Sequence, residues 1–299
     1  MENLIDNTGI RINGSNPWDI EVNDERLFDR VLQHKNLGLG EAYMDGWWEC
    51  RQLDEFICRI LESDLDITLR DSLPLLIPFL MALVLNRQSK TRSRIIAERH
   101  YDPGNDLFMA FLDPYMQYSC AYFDDTDDLA RAQRNKLDLI CRKLHLQPHD
   151  RVLDIECGWG GFAKYAALHD GCDVTAVNIS DEQMRVAREF CKGLPIEIIA
   201  TDYRELRGTY DKIVSVGMFE HVGYKNYRTF MEAARRCLKD GGIFLLHTIG
   251  GNASHIKCDP WINAYIFPNA MIPSIAQIGQ ALEGLFVMED WHNLSPHYD

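Results

Sequence analysis

Apolar positions in the second half of the chain follow two periodicities that alternate, one typical of buried strands and one typical of helices. Strands are predicted at residues 152–155, 172–177, 196–201, 212–217, 243–249 and 285–292. Helices are predicted at residues 129–144, after the first strand, from Ser180 (with Gln183 as a capping box) to Gly193, and at 224–238. This regular β-α-β alternation predicts an α/β fold with a doubly wound parallel sheet, which binds ligands at the carboxyl ends of its strands.

The first 60 residues carry two short helical patterns, at residues 27–32 and 53–61, and predict a small, mainly helical domain. The most apolar run, LPLLIPFLMALVL at residues 73–85, is shorter than the roughly 20 residues that span a bilayer and contains two prolines. It is interpreted as a buried helix, with an in-plane membrane contact or a subunit interface as alternatives. The polar, basic stretch at residues 86–94 is interpreted as a linker, which predicts domains at 1–88 and 89–299.

Composition excludes several classes of function. A net charge of -14 argues against a general nucleic-acid binder, because such proteins meet phosphates with basic side chains. The nine cysteines include no CxxC pair, and the N-terminus has no signal-like apolar run, so we expect reduced thiols, a cytoplasmic location and no metal site.

A glycine-rich turn follows the first predicted strand, in the stretch VLDIECGWGGF at residues 152–162. Glycines at this point let a backbone approach a nucleotide, but the turn alone fits NAD, FAD or S-adenosylmethionine equally. Glu156 stands where the first glycine of such a turn is expected, and it places a charge against the ligand. Asn178 replaces the acid that a dinucleotide site would use for the ribose, which disfavours NAD.

Three further positions are candidates for chemistry. Asp202 beside Tyr203 is placed to bind an adenine, although a helix-capping role for the aspartate is an alternative. Glu220 with His221 is compatible with a metal or acid–base pair, and His247 is compatible with a core histidine that makes ordinary hydrogen bonds.

Several motifs, in one order along nearly the whole chain, together resemble a known family. They are GLGEAYMDGWWEC, VLDIECGWGGFAKYAA, VNISDEQ, TDYREL, VSVGMFEHVG, IFLLHTIGG, DPWINAYIFPNAMIPS and VMEDWHN. The chain is thereby similar to the bacterial cyclopropane-fatty-acyl-phospholipid synthases, relatives of the mycolic acid cyclopropane synthases. The resemblance implies a class I methyltransferase, Rossmann-like fold. It also implies transfer of a methylene group from S-adenosylmethionine to the cis double bond of an unsaturated acyl chain in a membrane phospholipid.

The resemblance also assigns residues to a site. A bicarbonate bound as base would be held by Cys120, Glu220, His247, Ile249 and Tyr298, with Cys120 and Ile249 contributing backbone groups. S-adenosylmethionine would be contacted by Tyr118, Ser119, Asp154, Glu156, Gly158, Gly160, Asn178, Ile179, Gln183, Asp202 and Tyr203. Aromatic faces that could stabilise a cation come from Tyr118, Tyr122, Phe123, Phe219, Tyr265 and Phe267.

The implied setting is peripheral association with the cytoplasmic face of the inner membrane, and a homodimer through the N-terminal domain fits the family. Two departures bear on activity. Glu156 replaces the family's glycine, which predicts weakened cofactor binding. The chain ends before the seventh strand of a methyltransferase sheet, which predicts a truncated chain in which Tyr298 is retained but poorly anchored. The alternatives are therefore a methyltransferase for small soluble acceptors and an impaired homologue that binds lipid or cofactor without turnover.

Overall fold

The structure is a computed structural model that describes residues 6–63 and 105–298. These residues form two compact units, one containing residues 6–63 and 258–267 and the other containing residues 105–257 and 268–298. The apolar run at 73–85, the linker at 86–94 and the domain boundary after residue 88 lie outside the described residues and stay predictions. The assignment of 258–267 to the first unit was not foreseen from the sequence.

The first unit is built from two helices and a small antiparallel pair of strands. Its elements are β1 (Glu21–Val22), α1 (Arg26–Met44), β2 (Trp48–Glu49) and α2 (Leu53–Glu62), with one 3₁₀ turn at Asp6–Thr8 and one π turn at Ile262–Ile266. Trp48 and Phe56 lie in its core with ring centroids 5.2 Å apart. The two predicted helical patterns therefore correspond to α1 and α2.

Segment 258–267 is joined to α1 by side-chain contacts. Asn36 donates to Asp259 over 3.1 Å, and the Tyr265 hydroxyl donates to Glu41 over 2.9 Å. Trp261 packs so tightly on Gly40 that a β-carbon there would lie 2.3 Å from the indole ring. Glycine at position 40 is therefore required for this packing.

The second unit is a parallel five-stranded sheet with helices on its faces. Its elements are α3 (Asn105–Phe111), α4 (Leu129–Leu144), β3 (Arg151–Ile155), α5 (Gly161–His169), β4 (Asp173–Asn178), α6 (Asp181–Phe190), β5 (Ile196–Ala200), β6 (Tyr210–Val216), α7 (Tyr227–Cys237), β7 (Leu238–His247) and α8 (Ile275–Leu282). Single 3₁₀ turns lie at Tyr203–Glu205, Phe219–His221, Tyr224–Asn226 and Ser295–His297. The strand order β5-β4-β3-β6-β7, all parallel, is the doubly wound arrangement that the sequence predicts.

Helix α4 illustrates why the sequence pattern predicts the structure so closely. Asp128 caps its N-terminus by accepting from the backbone N–H of Arg131 at 2.7 Å, a contact worth about 1 kcal/mol. His145 ends it in the left-handed region. Between these signals the buried positions recur at helical spacing, so the bounds 129–144 agree with the prediction.

The sixth predicted strand, at residues 285–292, is wrong. The amides of Leu285 and Phe286 donate to Leu282, which extends the turn after α8, and Val287 is 84% exposed. Apolar alternation is not sufficient for a strand, because its backbone groups need a neighbouring strand, and no described strand pairs with this segment.

No helix within residues 6–63 and 105–298 combines the length and the apolarity needed to cross a bilayer. None of the nine cysteines, which all belong to these ranges, forms a disulfide.

Candidate active site

The glycine turn between β3 and α5 has one glycine that faces open space and two that face protein. A β-carbon built on Gly158, at φ 57°, would meet no atom of the described residues within 4 Å. A β-carbon on Gly160 would lie 2.9 Å from the Cys191 sulfur, and one on Gly161 would lie 1.9 Å from the Tyr115 carbonyl oxygen. The turn therefore leaves a cradle at Gly158, whereas Gly160 and Gly161 permit close packing of α5.

Glu156 occupies the left-handed region of the backbone, at φ 62°, just after β3. Its side chain is half-buried, and burial, together with the negative charge of Asp202, raises its pKa to about 8. The nearby Asp154 is buried, one of its carboxylate oxygens has no hydrogen-bond partner among the described residues, and burial raises its pKa to about 7. Two acids with raised pKa values therefore lie where a cofactor turn is expected.

Asn178 ties the turn to the end of β4. Its amide nitrogen donates to the Gly158 carbonyl at 3.1 Å and to the Gln183 side chain at 2.9 Å. Its amide oxygen accepts from the backbone N–H groups of Ile179 and Ser180 at 2.7 and 3.0 Å. The side chain is thus used to fix the loop that would carry the ribose contacts.

The capping box predicted at Ser180 is only half formed. The Ser180 hydroxyl accepts from the Gln183 backbone at 3.4 Å, but the Gln183 side chain is turned to Asn178 instead of back to the Ser180 amide. The prediction of a complete box was wrong because Asn178 offers both a donor for Gln183 and an acceptor for Ser180.

Asp202, the candidate adenine ligand, is engaged by its own loop. Its two carboxylate oxygens accept from the backbone of Arg204 at 2.9 Å and from the guanidinium of Arg204 at 2.7 Å. The Arg204 guanidinium also lies 4.5 Å from the centre of the Tyr203 ring. The capping role that the sequence left open is therefore present in the structure, and an adenine contact would use the remaining acceptor capacity of the carboxylate.

Tyr118 and Ser119 belong to a loop beside an aromatic cluster. The Tyr118 ring is 44% exposed and meets Phe108 edge-on at 5.4 Å, and Phe108 packs on Trp159 of the glycine turn at 5.0 Å. Among the other aromatic candidates, Phe219 is fully buried and stacks on Tyr227 at 4.4 Å, which makes it a core residue. Tyr265 and Phe267 belong to the first unit.

A second cluster lies beyond the carboxyl ends of β6 and β7. Glu220 follows β6, and its Oε1 accepts from the backbone N–H of Ile249 at 2.6 Å. The Cys120 thiol lies 3.8 Å from the His297 carbonyl, and the charges of Cys120 and Glu220 both bear on the Tyr298 hydroxyl. The structure thus joins Glu220 to Ile249 and places Cys120, Glu220 and Tyr298 within electrostatic range of one another, whereas Ile249 and Tyr298 are 43% and 59% exposed. His247 is the last residue of β7, two positions before Ile249.

The polar atoms of this cluster are buried and partly unmatched. Among the described residues, Glu220 Oε2 and His247 Nδ1 have no hydrogen-bond partner. Burial raises the pKa of Glu220, with a smaller opposing contribution from the Ile249 N–H group, and burial lowers the pKa of His247 to about 4. His247 is therefore neutral at pH 7, and each of the two side chains keeps one buried polar atom that can bond to a ligand.

Sequence reasoning missed Lys136, a fully buried lysine on α4 whose ammonium donates to the Ser119 hydroxyl at 2.7 Å. A signal was present in the sequence. Lys136 lies next to Leu137 and four residues before Ile140, on the face of α4 that the apolar positions mark as buried. A lysine at such a position is rare in proteins unless it has a partner.

Comparisons with known proteins give a consistent result. The family described as mycolic acid cyclopropane synthetase matches residues 88–299. The cyclopropane-fatty-acyl-phospholipid synthase of Escherichia coli (strain K12) is 53% identical over 296 residues, which cover 99% of this chain and 78% of that protein. Two solved structures have a TM-score of 0.64 and cover 69% of this chain and 79% of theirs. They are the cyclopropane synthase MmaA2 of Mycobacterium tuberculosis, 31% identical, and the mycolic acid cyclopropane synthase CmaA1 complexed with SAH and CTAB, 32% identical.

Proposed function

Because the chain belongs to the mycolic acid cyclopropane synthetase family, we propose that it is an S-adenosylmethionine-dependent cyclopropane-fatty-acyl-phospholipid synthase. In this proposal it transfers a methylene group to the cis double bond of an unsaturated acyl chain in a membrane phospholipid. The observation that carries the proposal is the pair of buried atoms Glu220 Oε2 and His247 Nδ1, which have no hydrogen-bond partner among the described residues and lie after β6 and at the end of its parallel neighbour β7. We propose that Cys120, Ile249 and Tyr298 complete this site.

The cradle at Gly158 fits a cofactor that approaches the backbone closely, since a β-carbon there would enter open space. In the proposal, Gly158 and Gly160 line the methionine part together with Tyr118 and Ser119. Asn178, Ile179 and Gln183 face the ribose, and Asp202 with Tyr203 faces the adenine. When bound, S-adenosylmethionine supplies an electrophilic methyl group.

The residues of the chain have three tasks in this chemistry. An alkene is a weak nucleophile, so the site has to hold the acyl chain in position and exclude water while positive charge develops on it. The Tyr118 ring, which is 44% exposed and rests on the buried Phe108, is the aromatic face that would stabilise that charge. Closing a three-membered ring from a methyl group and a double bond releases one proton, so a base is required.

We propose a bound bicarbonate as that base. The unmatched Glu220 Oε2 and His247 Nδ1 fit a ligand of this type, because together they offer acceptor and donor positions in a buried site. Burial raises the pKa of Glu220, and burial lowers the pKa of His247 to about 4, so His247 would meet the ligand in its neutral form. When bound, bicarbonate supplies the acceptor for the proton.

The proposed substrate sets the proposed location. Double bonds of phospholipids lie inside a bilayer, so the enzyme would act as a peripheral protein at the cytoplasmic face of the inner membrane. Leu107, Met109 and Phe111 of α3 are each about half exposed and supply apolar surface on the second unit for such contact. A homodimer through the N-terminal domain and the domain division at residue 88 stay predictions.

The test is incubation with methyl-labelled S-adenosylmethionine and vesicles of unsaturated phospholipid, followed by analysis of the acyl chains. We expect label in cyclopropane acyl chains, and none with vesicles of saturated phospholipid as the matched control. Label on small soluble acceptors in the absence of lipid would instead support the soluble-acceptor reading. Vesicle or cofactor binding without any label transfer would support the impaired homologue and contradict the proposal.

A further inference from the structure

Lys136 is a buried cation that forms no ion pair with any carboxylate in the part of the chain that the structure describes. The whole residue is 0% exposed, and its ammonium donates to the Ser119 hydroxyl at 2.7 Å. No carboxylate of the described residues forms a salt bridge with it. A buried ammonium is costly unless an opposite charge or several hydrogen bonds compensate it.

Asp113 is the acid whose charge acts most strongly on Lys136, but its carboxylate already accepts hydrogen bonds from other groups. Both of its carboxylate oxygens accept backbone N–H groups, from Tyr115 at 2.8 Å and from Gln117 at 2.7 Å. Asp113 therefore acts on the lysine through space, and burial still lowers the pKa of Lys136 to about 7. The described residues therefore leave the positive charge incompletely compensated.

The Lys136 ammonium lies beside the candidate anion site, because the Ser119 hydroxyl that accepts from it at 2.7 Å belongs to the residue directly before Cys120. Its charge acts on the residues of that site. It lowers the pKa of His247 further, and it partly offsets the rise that burial causes in the pKa of Cys120. These two residues come from different elements, β7 and the loop before α4, and both belong to the cluster that contains the unmatched atoms of Glu220 and His247. A hydrogen bond to Ser119 alone would need a donor but not a charge.

We propose that Lys136 is a positioning residue with two separable actions. Its N–H group fixes the hydroxyl of Ser119, and its charge compensates a carboxylate-type anion held between Cys120, Glu220 and His247. This inference rests on the proposed function for the identity of that anion, which we take to be bicarbonate.

The experiment measures the thermal stabilisation that bicarbonate gives to the full chain, with chloride at equal ionic strength as reference. Lys136→Met removes the charge and the donor at similar length, Lys136→Gln keeps a donor without the charge, and Ser119→Ala keeps the charge without the acceptor. Working near pH 6.5 keeps the wild-type lysine largely protonated, because its pKa is about 7. Titration with S-adenosylhomocysteine on the same variants reports on the cofactor side.

We expect bicarbonate to bind about tenfold or more weakly to both Lys136 variants and with unchanged affinity to Ser119→Ala. The affinity for S-adenosylhomocysteine should fall by the same factor in Lys136→Met and in Ser119→Ala, since both variants lose the hydrogen bond between Lys136 and Ser119. In chloride, the melting temperature of Lys136→Met should not fall below that of the wild type, because an uncompensated buried charge is removed.

Three results would overturn the proposal. One is full bicarbonate stabilisation of Lys136→Met or Lys136→Gln. The second is a loss of S-adenosylhomocysteine affinity in Lys136→Met that exceeds the loss in Ser119→Ala while bicarbonate binding persists, which would assign the charge to the cofactor carboxylate. The third is failure of both Lys136 variants to fold. Failure of the proposed function is separate, since wild-type protein that binds bicarbonate through Lys136 but transfers no label would refute only the activity.

Discussion

Replacing Glu156 by glycine should stabilise the protein as well as improve cofactor binding. A residue with a side chain costs about 1–2 kcal/mol at a left-handed position such as φ 62°. Glycine avoids this strain but loses about 0.5–1 kcal/mol through the greater freedom of the unfolded chain. The backbone contribution alone therefore favours Glu156→Gly by about 0.5–1 kcal/mol in the free energy of unfolding.

The charge adds a contribution that depends on pH. Burial first, and then the charge of Asp202, raises the pKa of Glu156 from 4.5 to about 8, so the folded protein holds the proton more tightly than the unfolded chain. The associated stability is fully present below pH 4.5 and is lost as pH rises through 8. The full shift corresponds to about 5 kcal/mol, and partial solvent exposure of the side chain reduces it to about 2 kcal/mol.

Chemical denaturation and cofactor titration test these magnitudes. The advantage of Glu156→Gly in unfolding free energy should grow from about 1 kcal/mol at pH 5 to about 3 kcal/mol at pH 9. Glu156→Gln serves as the matched control, because it keeps the shape and removes the charge. The affinity for S-adenosylhomocysteine should be highest for glycine, equal for glutamine and wild type at pH 6.5, and about tenfold lower for wild type than for glutamine at pH 9.

The amino group of S-adenosylhomocysteine also titrates in this range, but it affects both proteins equally. The ratio of the affinities of wild type and Glu156→Gln at each pH therefore reports only on the Glu156 carboxyl group. Equal affinities of all three proteins at both pH values would refute the placement of this side chain against the cofactor. If the unfolding free energies of wild type and Glu156→Gly differed by the same amount from pH 5 to pH 9, the raised pKa of Glu156 would be refuted.

Three further predictions concern the same unit. Asp154→Asn should reduce the loss of stability that the wild type shows as pH rises from 4 through 7. Burial raises the Asp154 pKa to about 7, so the stability that this group contributes below pH 3.8 is lost above pH 7. Urea denaturation across this range measures the effect, and a pH slope as steep as that of the wild type would contradict it. Gly161→Ala should lower the free energy of unfolding by about 3 kcal/mol, since its β-carbon would lie 1.9 Å from the Tyr115 carbonyl oxygen. Gly158→Ala should cost only the backbone strain of a left-handed residue, about 1 kcal/mol. Similar urea midpoints for the two variants would contradict the close packing at Gly161. Glu220→Gln keeps an acceptor for the Ile249 N–H group but removes the ionisable group. The rate of label transfer to lipid should therefore fall about 100-fold at an unchanged melting temperature. A fall of less than tenfold would remove Glu220 from the proposed site.

The sheet and its helices were predictable because each element carries local signals that agree with its packing. The α4 bounds follow from Asp128 and His145, and the glycine turn follows from the β3 pattern. The same logic failed at 285–292, where local alternation is present but no described strand supplies a partner. Periodicity reports which face is apolar, and pairing depends on the rest of the sheet.

The candidate site was predictable where residues follow strand ends and unpredictable where side chains choose among partners. Glu220 and Ile249 meet because β6 and β7 are parallel neighbours. The Gln183 side chain prefers Asn178 over the helix cap, and neither residue's spacing reveals that choice. The position of Lys136 on the apolar face of α4 indicates burial, but lysine is normally a surface residue, and its Ser119 partner comes from a loop whose position the helix pattern does not predict.

Because the ten residues at 258–267 belong to the first unit, that unit is built from two separate stretches of the sequence. The chain leaves the first unit between residues 63 and 105, returns to it at 258 and leaves it again after 267. Deleting the N-terminal residues would therefore not release an intact second unit, because Trp261 and Tyr265 would lose Gly40 and Glu41 and would expose apolar surface in the middle of what remained. Each unit is compact, but the chain that builds the first unit includes a segment that lies between two parts of the second, so a single cut in the sequence cannot separate them.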